Sequence, residues 1–309
     1  MAAVDHLIRD RLGSDVLLIR SIAEHIIGGG GKRLRPALLI LAARAGGYAG
    51  ENHIELAAAV EFIHTATLLH DDVVDESELR RGKKTANAEF GNAASVLVGD
   101  FLYSRAFQMM VSAGDMRIMK VLADATNSIA EGEVLQLLNI HNSAISEPEY
   151  LKIIHRKTAK LFEAAARLGA ILSGISAEAE QGLAEYGRHL GTAFQLIDDV
   201  LDYSGDATTT GKNLGDDLNE GKPTLPLIHV IQNGTPHQMA VVRAAIEHGG
   251  RDDFEQVLIA IEATGALNYA SNVARREVEL ARSAAAVLPE SVFKDCLLEL
   301  AVFATERDH

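Results

Sequence analysis

The scarcity of proline limits the fold of this chain more than any other feature of its sequence. Six prolines occur in 309 residues, and none lies between Pro36 and Pro148 or between Pro148 and Pro223. All-β chains need turn residues far more often, and no long stretch here alternates polar and apolar residues as a half-buried strand does. The sequence therefore predicts an all-α fold. Because it contains no linker and no low-complexity tract, we expect residues 1–309 to form a single domain.

Apolar periodicity and capping residues predict where the helices lie. Apolar residues make up 48% of the chain and aromatic residues only 5%, with no Trp, so Ala, Leu, Ile and Val must fill the core. Pro36 suits the first turn of a helix, and Asn92 is expected to cap another. Loops are expected from Ser77 to Asn92 and from Tyr203 to Pro226. The remaining helices are predicted at residues 1–27, 53–76, 116–139, 147–173, 177–203, 224–233, 237–247, 253–284 and 290–306.

Charge and cysteine content narrow the class of protein. The net charge is 29 − 43 = −14, which argues against a nucleic-acid partner because phosphate binding needs a basic surface. Cys296 is the only cysteine, so no intrachain disulfide can form and a reducing cytoplasm is expected. The chain lacks a signal-type apolar stretch at its start, and no segment reaches the ~18 uncharged apolar residues of a membrane span.

One acidic pattern occurs twice, as DDVVD at residues 71–75 and as DDVLD at residues 198–202. On a helix, aspartates four residues apart share a face and repel each other, which costs a few tenths of a kcal/mol without a cation. Carboxylate oxygens suit Mg²⁺, which is usually bound through one or two carboxylates plus substrate phosphates. A single such pattern is more often a solvated helix end. Two copies, each after an apolar helical run, predict Mg²⁺ ligands at Asp71, Asp75, Asp198 and Asp202.

Basic residues cluster near both acidic motifs. They are Arg80 and Arg81 after the first motif, Lys212 and Lys222 after the second, and Lys32 and Arg35 in an early glycine-rich segment. Arginine forks match phosphate oxygens, so acids that hold Mg²⁺ beside bases that hold phosphate indicate a diphosphate site. His64 precedes Asp71 by two helical turns and Gln195 precedes Asp198 by one, so both belong to the same faces as the acids.

Five segments together resemble the trans-prenyl diphosphate synthases, and most of all the bacterial long-chain members of octaprenyl type. The segments are GGGGKRLRP, LLHDDVVDESELRRG, the Lys-Thr of HRKTAKLF, FQLIDDVLD and GKNLGDDLNEGKPT. The similarity keeps its order from about residue 20 to beyond residue 230. It implies the isoprenoid synthase fold, in which helices surround a deep central cavity and the two aspartate motifs face each other across its mouth. It also implies a homodimer.

The resemblance further implies the reaction. An allylic diphosphate such as farnesyl diphosphate is elongated by successive trans head-to-tail condensations with isopentenyl diphosphate. The expected product is an octaprenyl diphosphate of about C40, destined for a quinone side chain. About three Mg²⁺ ions are expected to bridge the aspartates to the allylic diphosphate. A heptaprenyl or solanesyl product is the alternative, and the sequence does not separate a ubiquinone from a menaquinone role.

Residue roles follow from motif position in the resemblance. The isopentenyl diphosphate pocket corresponds to Lys32, Arg35, His64 and Arg81. The allylic diphosphate site corresponds to Arg80, Lys157, Thr158, Gln195, Lys212 and Lys222, with Phe194 near the reacting carbons. The catalytic group comprises Asp71, Asp72, Asp75, Arg80, Lys157, Asp198, Asp199 and Lys212.

Product length is expected to depend on the residues before the first motif. In family members that stop early these positions carry large aromatics, whereas this chain has Ala66 and Thr67. Growth should therefore pass them, which favours a long product. Met110 is a hypothetical floor of the tunnel, although buried methionines are more often ordinary core residues.

The chain departs from the pattern of the shorter family members at one place. Where shorter members have GQxxD, residues 132–136 read GEVLQ, as in other long-chain synthases.

Three rival functions have to be weighed against the synthase. A terpene cyclase would carry an Asn/Ser/Glu type of second motif and no isopentenyl pocket. An HD-type phosphohydrolase, suggested by His70-Asp71, would need further His and Asp ligands. A non-catalytic partner subunit would have lost one or both aspartate motifs.

Overall fold

The computed structural model describes residues 1–28, 30–80, 82–204, 214–250 and 253–306, and it is helical almost throughout. The helices are α1 (Ala2–Arg11), α2 (Leu17–Gly28), α3 (Leu34–Ala45), α4 (Asn52–Val74), α5 (Ala86–Phe90), α6 (Asn92–Ser112), α7 (Met116–Asn139), α8 (Glu147–Ile154), α9 (Lys160–Ser173), α10 (Ala177–Ser204), α11 (Asp216–Asn219), α12 (Leu225–Asn233), α13 (Pro236–His248), α14 (Phe254–Thr264), α15 (Ala266–Ala284) and α16 (Val292–Glu306). The strands β1 (Leu79–Arg80) and β2 (Lys83–Lys84) form one antiparallel hairpin. The prediction of an all-α fold is confirmed.

The chain divides into two compact units. Unit 1 contains residues 1–126, 161–187 and 285–297, and unit 2 contains residues 127–160, 188–284 and 298–309. The assignment of residues 1–309 to one domain stays a prediction. No helix in the described ranges is long and apolar enough to cross a bilayer.

Helix α4 is the centre of unit 1. Its residues from Leu56 to Val60 have no solvent exposure, and Phe62, Ile63 and Leu69 are also buried. A helix that is apolar on every side must be enclosed by other helices, and α4 packs against α1, α3, α5 and α6. This enclosed helix carries the first aspartate motif at its C-terminal end.

Small residues allow helices of unit 1 to approach closely, as the aromatic-poor composition predicts. A Cβ atom placed on Gly169 of α9 would lie 2.6 Å from the Cβ of Ala42 and 2.6 Å from the backbone nitrogen of Ala43, both on α3. Real Cβ atoms do not come so close to backbone, so only glycine fits at this crossing.

Two apolar clusters hold the C-terminal part of α10 in unit 2. In the first, Leu196, Ile197 and Val200 pack with Ile153 and Ile154. In the second, Tyr203 packs with residues of α11 to α15. The second aspartate motif therefore lies on a helix end that is fixed by packing on two sides.

Several predicted helix boundaries are wrong. Residues 1–27 form two helices, α1 and α2, and residues 253–284 are divided at Gly265, whose φ of 67° ends α14 in the left-handed conformation. Asn92 is the first residue of α6 and not its cap, because Gly91 occupies the capping position. Propensity alone does not locate such ends, since backbone geometry at single residues decides them.

The two predicted loops contain short regular elements. Residues 77–92 include the β1–β2 hairpin and α5, which begins where the Thr85 hydroxyl accepts a hydrogen bond from the backbone nitrogen of Ala88 at 3.4 Å. Helix α11 lies within the second loop, of which residues 205–213 are outside the described ranges.

Candidate active site

The first aspartate motif ends helix α4 in unit 1. Asp71 and Asp75 are both half-buried and lie one turn apart, and the backbone nitrogen of Asp75 donates to the carbonyl of Asp71 at 2.8 Å. The structure therefore keeps the predicted pair on one face of the helix end, with each carboxylate within reach of solvent.

The middle aspartate of this motif is oriented differently. Asp72 is buried, and its Oδ1 accepts hydrogen bonds from Arg80 Nε at 2.9 Å and Nη2 at 2.7 Å. Burial of a carboxylate costs free energy unless a paired charge compensates it, so these two hydrogen bonds hold both side chains in place. Arg80, predicted to bind diphosphate, is thus held at the start of the hairpin by a residue of the motif itself.

Arg35 and His64, predicted for the isopentenyl pocket, are in direct contact in unit 1. Arg35 Nη1 lies 3.1 Å from His64 Nε2, and its guanidinium lies 4.3 Å from the ring centre of Phe162. Because arginine has no acceptor, Nε2 of His64 accepts this bond. Arg35 is in the first turn of α3 and the exposed Lys32 precedes that helix. Cations near a helix N-terminus disfavour the helix and favour an anion.

The three predicted chain-length residues are in unit 1. Ala66 on α4 is fully buried, and the Thr67 hydroxyl donates to the carbonyl of His64 at 2.8 Å. Met110 on α6 has 0% exposure and the adjacent Met109 has 1%. Their effect on product length stays a prediction.

The second motif, in unit 2, repeats the division of roles seen in the first. Asp198 and Asp202 are half-buried, whereas Asp199 is buried. Asp199 Oδ2 accepts a hydrogen bond from the hydroxyl of Tyr150, and its Oδ1 accepts one from Gln195 Nε2 at 2.9 Å. Burial, followed by the charge of Asp217, raises the pKa of Asp199 to about 8, although these two hydrogen bonds oppose the rise.

The Asp199 carboxyl group fixes the orientation of Gln195. Since the amide nitrogen of Gln195 faces Asp199, its carbonyl oxygen is left to accept a bond from the Thr158 hydroxyl, at 2.9 Å. Tyr150, Asp199, Gln195 and Thr158 thus form one chain of hydrogen bonds. Two of its members, Gln195 and Thr158, are predicted to bind the allylic diphosphate.

Lys157 and Thr158 belong to a π-helical segment, His155–Ala159, between α8 and α9. Such segments are rare and frequently occur at functional sites. The segment packs against α7, where a Cβ on Gly132 would lie 2.6 Å from the backbone nitrogen of Lys157. The ammonium of Lys157 lies 2.6 Å from Glu133 Oε2 and 2.6 Å from Gln136 Oε1. Residues 132–136, where the chain departs from GQxxD, therefore hold Lys157.

The hydrogen-bonded chain from Tyr150 to Thr158 and the side chain of Lys157 line one cleft of unit 2, whose volume of about 520 Å³ includes its open mouth. Its lining residues are Gln136, Asn139, Ile145, Tyr150, Ile153, Ile154, Lys157, Thr158, Gln195, Asp199, Asp217, Lys222, Pro223 and Thr224. Lys222 is buried and pairs with Glu220 at 2.6 Å. Asp202 Oδ2 accepts from the backbone nitrogen of Asp217 at 3.3 Å. The structure therefore brings together Lys157, Thr158, Gln195, Asp199 and Lys222.

The donor chemistry of the two motifs fits Mg²⁺. Each motif offers two half-buried carboxylates one helical turn apart, and hard cations prefer such oxygen ligands. Within the described ranges, no three His, Cys, Asp or Glu side chains are already gathered tightly enough to enclose a metal ion. Arg81 and Lys212, both predicted site residues, lie outside the described residues.

Sequence reasoning missed Tyr150, Glu133 and Phe162. Of these, Tyr150 could have been predicted, because it lies on the same face of α8 as Ile153 and Ile154, and a buried tyrosine hydroxyl needs a polar partner. No local signal identifies Glu133 or Phe162, since their partners Lys157 and Arg35 reach them through tertiary contacts.

The chain is similar to known proteins over its whole length. The family model described as polyprenyl synthetase matches residues 16–262. The octaprenyl diphosphate synthase of Escherichia coli (strain K12) is 56% identical over 309 residues, which cover 100% of this chain and 96% of the relative. The octaprenyl diphosphate synthase of Haemophilus influenzae is 52% identical, over 100% of this chain and 94% of the relative.

A solved structure is similar over the whole chain. The polyprenyl synthase of Caulobacter crescentus CB15, crystallised with calcium and isoprenyl diphosphate, has a TM-score of 0.97 and is 48% identical. The alignment covers 100% of this chain and 95% of that one.

Proposed function

This chain belongs to the polyprenyl synthetase family, and on that premise we propose that it extends an allylic diphosphate with isopentenyl diphosphate to octaprenyl diphosphate. It is a transferase of the trans-polyprenyl type with the isoprenoid synthase fold, and octaprenyl is the product that its relatives support best. The observation that carries the assignment to this site is the cleft in which Lys157, Thr158, Gln195 and Lys222 meet the second aspartate motif.

The family depends on Mg²⁺, and we assign its binding to Asp71, Asp75, Asp198 and Asp202, with about three ions expected. When bound, Mg²⁺ supplies positive charge that neutralises the oxygens of the allylic diphosphate. The half-burial of these four carboxylates supports the assignment, because an ion can reach each of them without a change in the helix backbone. The buried Asp72 and Asp199 hold neighbouring residues in place instead.

Cationic side chains bind the two substrates. Arg35, with Lys32 and His64, takes the diphosphate of isopentenyl diphosphate. Lys157, Thr158, Gln195 and Lys222 are assigned to the allylic diphosphate, and Arg80 is assigned to the same substrate by motif position. Both Arg80 and Lys157 are already positioned by carboxylates, so little freedom is lost when substrate binds. Arg81 and Lys212 are assigned to the isopentenyl and allylic diphosphates by motif position alone.

The reaction breaks the allylic C–O bond, and the electron pair leaves with the diphosphate. Lys157 and Arg80 stabilise the negative charge that grows on the departing oxygens. The double bond of isopentenyl diphosphate then supplies the pair that forms the new C–C bond. A proton is lost to the released diphosphate, which restores a double bond in the longer chain.

Water must be kept from the allylic cation, because it would convert the cation to an alcohol. Ile145, Ile153 and Ile154 give the cleft of unit 2 an apolar wall beside its charged groups. Phe194, half-buried on α10, is assigned to the region of the reacting carbons.

We also propose how the protein assembles and where it acts. Two exposed apolar side chains on α6, Leu97 and Val111, support a homodimer. Cys296 is a free thiol, which suits a reducing compartment, and we propose the cytoplasm. The product is proposed to supply a quinone side chain.

The test is incubation with farnesyl diphosphate, radiolabelled isopentenyl diphosphate and Mg²⁺, after which products are dephosphorylated and sized against polyprenol standards. A ladder that ends near C40 is expected, since growth stops where the eighth five-carbon unit fills the available space. A ladder that ends at another length would change the product assignment. No elongation, with EDTA making no difference, would refute the proposed function.

A further inference from the structure

A half-buried arginine and a buried glutamate form an ion pair in unit 1, close in sequence to the residues proposed to bind isopentenyl diphosphate. Arg33 Nη1 donates to Oε1 of Glu61, and the two side chains are only 17% and 7% exposed. Glu61 is on α4, next to the fully enclosed residues Phe62 and Ile63. A carboxylate in such surroundings is strongly disfavoured without a paired charge, so Glu61 and Arg33 hold each other firmly.

The backbone of Arg33 is in the left-handed conformation, with φ 50° and ψ 37°. Residues with a Cβ rarely adopt this region, and they stay there only where surrounding contacts hold them. Arg33 is the capping residue directly before α3, so its conformation sets the direction in which the helix leaves the glycine-rich segment. Asp5 of α1 adds a second carboxylate, with its Oδ1 3.7 Å from Arg33 Nε.

Helix α4 binds two arginines of the same segment. Glu61 and His64 are three residues apart and therefore share a face of α4. Glu61 contacts Arg33 and His64 contacts Arg35, the latter at 3.1 Å. The contact of His64 with Arg35 belongs to the proposed substrate pocket, whereas the contact of Glu61 with Arg33 has no place in the chemistry.

We propose that Glu61, acting through Arg33, is a positioning residue for isopentenyl diphosphate. The ion pair holds the start of α3 in the conformation that presents Lys32 and Arg35, which lie on either side of Arg33 in sequence, to the diphosphate. The inference rests on the proposed function of Lys32 and Arg35. It assigns no contact between Glu61 and either substrate.

The test compares the steady-state kinetics of Glu61→Gln with those of the unaltered chain. We expect KM for isopentenyl diphosphate to rise about tenfold, because the loss of a charged hydrogen bond releases the segment that carries two diphosphate ligands. Both kcat and KM for farnesyl diphosphate should stay within about twofold. A merely structural defect would instead lower the amount of active enzyme and leave KM for isopentenyl diphosphate unchanged.

Glu180→Gln is the matched control. Glu180 is another buried carboxylate of unit 1, and it pairs with Arg117 and with Arg167, the latter at 2.9 Å. Its loss should reduce the melting temperature without changing KM for isopentenyl diphosphate. An equal rise in KM in this control would overturn the inference, since loss of any buried pair would then have the same effect.

A double variant, Arg33→Gly with Glu61→Gln, separates the positioning role of Glu61 from a folding defect. Glycine adopts φ 50° without strain and no buried charge is left unpaired, yet nothing fixes the direction of the segment. The same rise in KM is expected. If the unaltered chain does not elongate with isopentenyl diphosphate, the proposed function fails. If it elongates and both variants keep its KM, only the positioning role of Glu61 is refuted.

Discussion

Within each aspartate motif, neighbouring carboxyl groups have different surroundings. Asp71, Asp75, Asp198 and Asp202 are half-buried at helix ends, whereas Asp72 and Asp199 are buried against partners from other elements. Two consecutive helical residues point about 100° apart, so one faces the solvent-accessible side and the next faces the interior. The repeated DD pair therefore combines a candidate metal ligand with a positioning group.

The half-buried aspartates should be the more sensitive to loss of charge in turnover. Asp71→Asn or Asp198→Asn is expected to lower kcat by several powers of ten, each worth about 1.36 kcal/mol of barrier, because charge neutralisation of the leaving diphosphate is weakened. The measurement is turnover of farnesyl diphosphate at saturating Mg²⁺. Turnover close to that of the unaltered chain in either variant would contradict the metal assignment.

Tyr150→Phe tests the hydrogen-bonded chain that begins at Tyr150. The variant leaves the buried Asp199 carboxyl group without one partner, so we expect the free energy of unfolding to fall by about 1–3 kcal/mol. Thermal or urea unfolding measures the change. Tyr203→Phe is the control, because the Tyr203 hydroxyl accepts a bond from the Thr224 hydroxyl at 3.5 Å, which is long for a hydrogen bond. Equal losses in the two variants would show that the Asp199 bond is not special.

At the scale of elements, the π-helical segment and α7 depend on each other. Gly132 permits the backbone of Lys157 to approach, and Glu133 then reaches the ammonium of the same residue. A single close crossing therefore sets the position of a cation proposed to contact the allylic diphosphate.

Gly132→Ala distinguishes this crossing from an ordinary helical position. Helix propensity alone would stabilise the protein by up to about 1 kcal/mol, whereas a Cβ at 2.6 Å from a backbone nitrogen forces the elements apart at a cost of about 1–3 kcal/mol. We expect a lower melting temperature and a higher KM for farnesyl diphosphate. A rise in melting temperature would show that the two backbones are free to move apart at this crossing.

Helix α6 offers a paired test of product length. Met110→Ala should lengthen the products if Met110 forms the tunnel floor, because truncation opens space at that point. Met109→Ala removes the same atoms from the adjacent and equally buried position. Both variants are expected to lose about 2–5 kcal/mol of stability, but only the first should shift the product ladder on thin-layer chromatography. An unchanged ladder, or equal shifts, would refute the floor assignment.

For the molecule as a whole, the net charge has the same sign as the diphosphate substrates. The net charge of −14 repels diphosphates at long range, and screening limits that repulsion to about 8–10 Å in physiological salt. Binding therefore depends on local clusters of cations, and those that we propose are Lys32 with Arg35, and Lys157 with Lys222.

Assembly is the second property at this scale. Leu97 and Val111 are 67% and 63% exposed and lie about four turns apart on the same side of α6. We expect the protein to elute as a dimer in size-exclusion chromatography with light scattering, and Leu97→Glu to weaken that dimer by placing a charge in the contact. Leu280→Glu on α15, also an exposed leucine, is the control and should leave the mass unchanged. A monomeric unaltered chain would contradict the dimer.

The helical class and the candidate metal ligands could both be predicted from the sequence, because both predictions rest on local relations. Apolar periodicity marks the long helices, and a spacing of four residues places Asp71 with Asp75 and Asp198 with Asp202 wherever the helices lie. The helix end at Gly265 was not predicted, because a single backbone conformation decides it.

The partner of each buried polar group, in contrast, depends on how distant helices pack. Asp71 and Asp72 are the same residue type and adjacent in sequence. No local sequence pattern indicates that Asp72 is the one that binds Arg80. Likewise Tyr150 with Asp199 and Arg33 with Glu61 join residues 49 and 28 positions apart. These pairs form because a buried charge or hydroxyl must be satisfied, and packing of distant helices determines what is within reach.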